Sequence, residues 1–159
     1  MRNYSLSANI ETGTSGNDKY VVTPNVEKVA NEIVQQFQAG IHSFTIIGTY
    51  GTGKSCFLLT LEQDLRENSK PLLIKNPKAL ASVSGYEIIN VVGEYQSLEN
   101  LLYSKLQRKS IGDSTMEILR NYYNRLKKDN KMLLIVVDEF GKVLEHAAKN
   151  EVEKELYFM

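Results

Sequence analysis

Gly48-Thr49-Tyr50-Gly51-Thr52-Gly53-Lys54-Ser55 fills every fixed position of the pattern G-x-x-x-x-G-K-[ST], and the rest of the chain is best read outward from it. Its glycines permit backbone angles that a Cβ forbids, so successive N–H groups can turn inward and line a concavity for an anion. Lys54 adds a positive charge aimed at β- and γ-phosphates. Ser55 offers a hydroxyl to a magnesium ion, and a helix beginning about there points its positive dipole end at the same anion. The implied ligand is a nucleoside triphosphate, bound by Gly48, Thr49, Tyr50, Gly51, Thr52, Gly53, Lys54, Ser55 and the adjacent Cys56.

The flanks agree with that reading. Phe44-Thr45-Ile46-Ile47 is a short aromatic and β-branched run that predicts a strand, and Cys56 to Leu65 has the apolar spacing of a helix. A glycine-rich surface turn has neither flank.

Composition describes an ordinary water-facing domain. The chain has 159 residues, 42% of them hydrophobic and 24% charged, which suits one core. Lysine plus arginine equal aspartate plus glutamate, so whole-chain charge does not indicate nucleic acid or an anionic membrane and leaves a local basic patch open. Cys56 is the one cysteine, so no internal disulfide forms. With no signal-peptide core and no membrane-length apolar run, the expected compartment is the cytoplasm.

In chain order, residues 1–19 are rich in Asn, Ser, Thr and Gly and read as an arm preceding one domain over 20–159. Thr23-Pro24 is a helix start, with Val26, Val29, Ala30, Ile33, Val34 and Phe37 at helical spacing and Gly40 as the stop. Tyr20, just before it, is either a neighbour of the nucleotide base or a packing aromatic. Asn68-Ser69-Lys70-Pro71 ends the loop helix, Leu72-Leu73-Ile74 predicts a strand, and Asn76 to Tyr86 reads as irregular or a short helix. Ile88 to Val92 predicts another strand closed by Gly93. Ser97 caps a helix through Leu98, Leu101, Leu102 and Leu106, and Ser114-Thr115-Met116-Glu117 matches a capping box opening a helix through Leu126. On that helix Tyr122 and Tyr123 read as a core face with solvated hydroxyls, and Arg120 and Arg125 as a solvated face.

The second chemical landmark is Met132-Leu133-Leu134-Ile135-Val136-Val137-Asp138-Glu139, a continuous apolar run ending in two acids. A strand buried on both faces of a parallel sheet reads this way, and its carboxyl end is where open α/β sheets keep ligands. Asp138 is the expected magnesium ligand, through a coordinated water, and Glu139 the group that orients or deprotonates the attacking water.

Gly48 to Ser55 resembles a Walker A motif, and Leu133 to Glu139 resembles a Walker B motif of the additional-strand catalytic-glutamate class of P-loop ATPases. With the Thr23-Pro24 lead-in helix, Asp138-Glu139-Phe140-Gly141-Lys142 resembles the nucleotide-binding domain of AAA+ and STAND-like ATPases, among them large bacterial origin-recognition-like and defence-associated ones. The resemblance spans Tyr20 to Ala148. It implies an α/β P-loop three-layer sandwich with a mostly parallel sheet, Mg-ATP as ligand, Lys54 and Glu139 as catalytic residues, and Ser55 and Asp138 at the metal. It further implies ATP hydrolysis coupled to conformational change in a homo-oligomer or beside additional domains. That class continues past its Walker B strand with a polar sensor strand, an arginine finger, a last strand and a helical lid. Phe140 to Met159 cannot hold these, so the expected domain is incomplete at its C-terminus, and a non-hydrolysing ATP-binding fragment or switch stands beside the ATPase.

Two rivals differ in what they need. A GTPase needs Asn-Lys-x-Asp, and Asn130-Lys131-Met132-Leu133 lacks the aspartate. A P-loop small-molecule kinase needs a lid with arginines, and no Arg-rich segment follows the loop at that spacing. His42, His146 and Cys56 are not at metal-ligand spacing, and Cys56 reads as a small buried hydrophobe behind Ser55.

Overall fold

The computed structural model describes residues 10–11, 20–66, 71–74, 80, 82–107 and 109–150. They belong to two compact units, Met1–Gly85 and Tyr86–Met159. Of the expected arm only Ile10 and Glu11 are described. Asn68, Ser69, Lys70 and Pro77 lie outside the described residues, as do residues 151–159.

In the first unit, helix α1 (Pro24–Gln38) starts as its sequence predicts. The Thr23 hydroxyl accepts the Val26 N–H at 3.3 Å and Pro24 takes the first helical position, a cap worth about 1 kcal/mol. Its exit is a Schellman turn, with Gly40 N–H donating to Phe37 O at 2.9 Å and Ile41 N–H to Gln36 O at 3.0 Å. Helix α2 (Lys54–Arg66) begins one residue before Ser55 and buries Phe57, Thr60, Glu62, Asp64 and Leu65.

Two predicted strands of this unit do not form. Phe44 to Ile47 carries no ladder, Thr45 is exposed, and Ile47 is 91% exposed. β-propensity produces a strand only where a neighbour supplies ladder hydrogen bonds, and among the described residues none does so here. Leu72 to Ile74 is a turn instead. Its amides go to a side chain, with the Asp64 carboxylate accepting Leu72 N–H at 2.8 Å, Leu73 N–H at 2.5 Å and Ile74 N–H at 2.8 Å. Asp64 is 2% exposed, and three charge-assisted bonds to one carboxylate outcompete a ladder.

The second unit runs β1 (Gly85–Val92), α3 (Leu98–Leu106), α4 (Thr115–Lys128), β2 (Lys131–Asp138), α5 (Phe140–Lys149). It is α/β, and β1 and β2 form a parallel two-stranded sheet. The direction follows from contacts at both ends: Glu87 pairs with Lys131 near the strand starts, and Gly93 N–H donates to Asp138 O at 2.7 Å just past the end of β1. Such a connection needs a long crossover, here two helices. The core gathers Ile89 and Val91 of the sheet, Leu101, Leu102 and Leu106 of α3, Ile118, Tyr122 and Leu126 of α4, and Val143 of α5. Each such side chain contributes about 1.5–3 kcal/mol on burial, which is why the helical spacing of these residues tracks the core-facing side.

β1 starts at Gly85, so Gly85 and Tyr86 are strand and not irregular. Ser97 and Ser114 both cap as predicted, accepting Asn100 N–H and Glu117 N–H at 3.2 Å each. The Glu117 carboxylate, however, accepts from Asp113 N–H at 3.0 Å, one residue upstream of the capping-box partner. β2 corrects a further expectation. It is half-buried along its length with Ile135 40% exposed, so it is not enclosed on both faces within the described residues.

Candidate functional site

The loop from Gly48 to Ser55 is built by two backbone reversals and one side chain. Gly51 (φ 79°) and Gly53 (φ 84°) occupy the left-handed region where a Cβ is strained, and they bend the chain into the first turn of α2. Lys54 then folds back over the loop. Its Nζ donates to Gly48 O at 3.0 Å and to Thr49 O at 2.8 Å, and the Thr52 hydroxyl also donates to Thr49 O at 2.8 Å. The ammonium is thereby fixed within the curl of the loop. A Cβ on Gly48 would stand 3.1 Å from Thr52 Oγ1, so that position is also tight.

Ser55 and Cys56 lie in the first turn of α2, where the helix directs N–H groups and its positive end toward the loop. Phe57 N–H to Gly53 O, at 2.8 Å, is an early ladder bond. The Cys56 thiol is half-buried, more open than a hydrophobe enclosed behind Ser55 would be. Tyr50 is 93% exposed at the loop tip. Burial, and after it the charge of a Cys56 thiolate, push the half-buried Tyr20 hydroxyl above its usual pKa, which puts Tyr20 within electrostatic reach of this turn.

In the second unit the acidic pair sits at the carboxyl end of β2. Asp138 closes the strand, and its Oδ1 accepts Glu139 N–H at 2.9 Å, which orients the carboxylate. Glu139 is in the left-handed region (φ 53°, ψ 35°), an uncommon state for a residue with a side chain. Its carboxylate pairs with the Lys142 ammonium. Hydrogen bonding to Glu139, then its charge, hold the Lys142 pKa above the usual lysine value. Gly93 is buried against this turn, and a Cβ there would collide with the Glu139 carbonyl.

Sequence reasoning missed three of these parts. Asp64 carries no role within the predicted loop helix, Gly93 reads as a strand stop, and Lys142 enters only as the last residue of Asp138-Glu139-Phe140-Gly141-Lys142, with no partner assigned. Spacing alone could have flagged Lys142, since acid and base three apart on a helix are neighbours. Tyr122 is a core residue as expected, 3% exposed, but its hydroxyl donates to Glu87 Oε2 at 3.2 Å instead of being solvated, and Tyr123 departs from the expected core face, being 47% exposed.

Among the described residues no cluster of three or more His, Cys, Asp or Glu could hold a metal. A shallow depression lined by Pro24, Glu27, Lys28, Asn31, Glu32 and Gln35 follows one face of α1 and includes no loop residue. No described helix is long and apolar enough to cross a membrane. No protein-family model, curated protein or solved structure matches the chain.

Proposed function

We propose that the chain binds Mg-ATP through Gly48 to Ser55, and that ATP hydrolysis coupled to a conformational change, in an oligomer or alongside further domains, is the activity it serves. The observation that carries this reading is the Lys54 ammonium held over the loop by the Gly48 and Thr49 carbonyls. An ammonium has three donors. Two are spent on the loop itself, and the third serves a phosphate oxygen without any rearrangement of the lysine stem. The Gly51 and Gly53 turns and the start of α2 add N–H donors to the same anion. The fold proposed with this loop is the P-loop three-layer sandwich that its motif implies.

We assign Ser55 and Asp138 as oxygen donors to magnesium, Asp138 acting through water. The ion would offset the charge on the phosphates. Glu139 takes the proton of the attacking water, and the Asp138 contact to its amide fixes the turn that presents it.

A second reading is a switch that binds ATP without turnover. The Glu139–Lys142 ion pair favours it, because one carboxylate oxygen is already occupied by the ammonium. The small-molecule kinase gains no specific support. Titration calorimetry with ATP, with and without magnesium, followed by a phosphate-release assay on the same sample, separates these readings. Absence of binding sinks both nucleotide readings, binding alone leaves the switch, and phosphate transfer to an added acceptor selects the kinase.

A further inference from the structure

The chain is neutral overall, but in the second unit charge is segregated. Residues 105–131 contain eight lysines and arginines against three acids. On α4, Ile118, Tyr122 and Leu126 are buried, while Arg120, Tyr123, Asn124, Lys127 and Lys128 are exposed at the three-and-four spacing of one face. Arg120, Lys127 and Lys128 make no ion pair with a described residue. The acid on α4, Glu117, is engaged at the helix start by Asp113 N–H.

Further cations are held at this helix without being neutralised. Arg125 Cζ lies 5.1 Å and Lys109 Nζ 5.4 Å from the centroid of the Tyr122 ring. An aromatic face orders a cation and leaves its charge intact. Lys131, 3.5 Å from Glu87, has a carboxylate partner.

We propose that the exposed face of α4 binds single-stranded nucleic acid. A row of cations that pair with no described carboxylate attracts a phosphate backbone whatever its bases. Tyr123, 47% exposed between Arg120 and Lys127 on that row, supplies a ring on which a base stacks, and Asn124 beside it carries both a donor and an acceptor. A merely solvated helix face usually mixes both signs of charge, whereas the exposed charges of α4 beyond its first turn are all positive. An anionic bilayer is the competing surface, because Met116 is 50% and Ile111 90% exposed. Single strands are favoured over it because the side chain set among the cations is an aromatic with a polar neighbour, not an aliphatic. This inference does not rest on the nucleotide reading.

The test is fluorescence anisotropy of the full chain with labelled oligothymidylate across a salt series, beside the corresponding duplex and phosphatidylserine vesicles. Three to five phosphate contacts should give a slope of log affinity against log salt of about −2 to −3.5. Lys127→Glu with Lys128→Glu should weaken binding by about tenfold or more and flatten the slope. Tyr123→Ala should cost about five- to a hundredfold, while Tyr123→Phe keeps the affinity. Circular dichroism checks that these exposed changes leave the fold intact. No binding, a flat salt series, full affinity in the charge-reversed variant, or preference for duplex or vesicles each overturns the proposal.

Discussion

Lys142 is ion-paired to the carboxylate of Glu139, three residues before it at the head of α5, so the residue proposed as the base is engaged by its own helix. Pairing favours the charged lysine and holds its pKa above 10.5. The sign follows: the pair is present throughout neutral pH and its lysine half is lost as pH rises past the lysine's own raised value. Lys142→Met releases Glu139 at all pH. On the hydrolytic reading turnover should rise roughly two- to fivefold, the range an exposed pair can restrain. A drop in the phosphate-release rate would instead make Lys142 a helper of Glu139.

Lys54→Ala removes the ammonium from the loop and should lower ATP affinity roughly 10- to 100-fold, the worth of a charged hydrogen bond. Calorimetry reads it. Equal affinity in the variant would remove Gly48 to Ser55 from nucleotide binding.

Glu139→Gln keeps the shape of the turn and its amide bond to Asp138 while abolishing the base. ATP should bind as in the parent, and turnover should fall about 10²- to 10⁴-fold. A variant with the parent rate would exclude Glu139 from the chemistry.

Gly93→Ala drives a methyl into the Glu139 carbonyl. Neither backbone can retreat easily, because Gly93 N–H is bonded to Asp138 O at 2.7 Å. The expected loss is about 1–3 kcal/mol in urea unfolding, as for other overpacked sites. An unchanged midpoint would show that the turn yields.

Asp64→Ala orphans the amides of Leu72, Leu73 and Ile74 around a buried position. The expected cost is about 3–5 kcal/mol, and Asp64→Asn should recover part of it by keeping one carbonyl acceptor. Urea denaturation of the two variants gives both numbers, and equal losses would mean that charge, not acceptor geometry, holds the turn.

The local signals in this chain were legible because their causes are local. Thr23, Ser97 and Ser114 cap the helices that follow them because a hydroxyl reaches an amide three residues on whatever else the chain does. The reversals at Gly51 and Gly53 belong to the same class, and so does the placement of Lys54 and Ser55 at the start of α2. β2 was visible as an apolar run ending at Asp138. The tertiary structure decided matters that depend on distant partners. Phe44 to Ile47 and Leu72 to Ile74 have strand composition, but a strand exists only through its neighbour, and the second of these runs turns around the Asp64 carboxylate instead. Composition cannot reveal that β1 ends with Gly93 against Glu139, because that contact joins residues 46 positions apart through a parallel crossover. Neutral net charge likewise concealed the basic face of α4, since a sum over the chain carries no positions and only folding sets Arg120, Lys127 and Lys128 on one side of a helix.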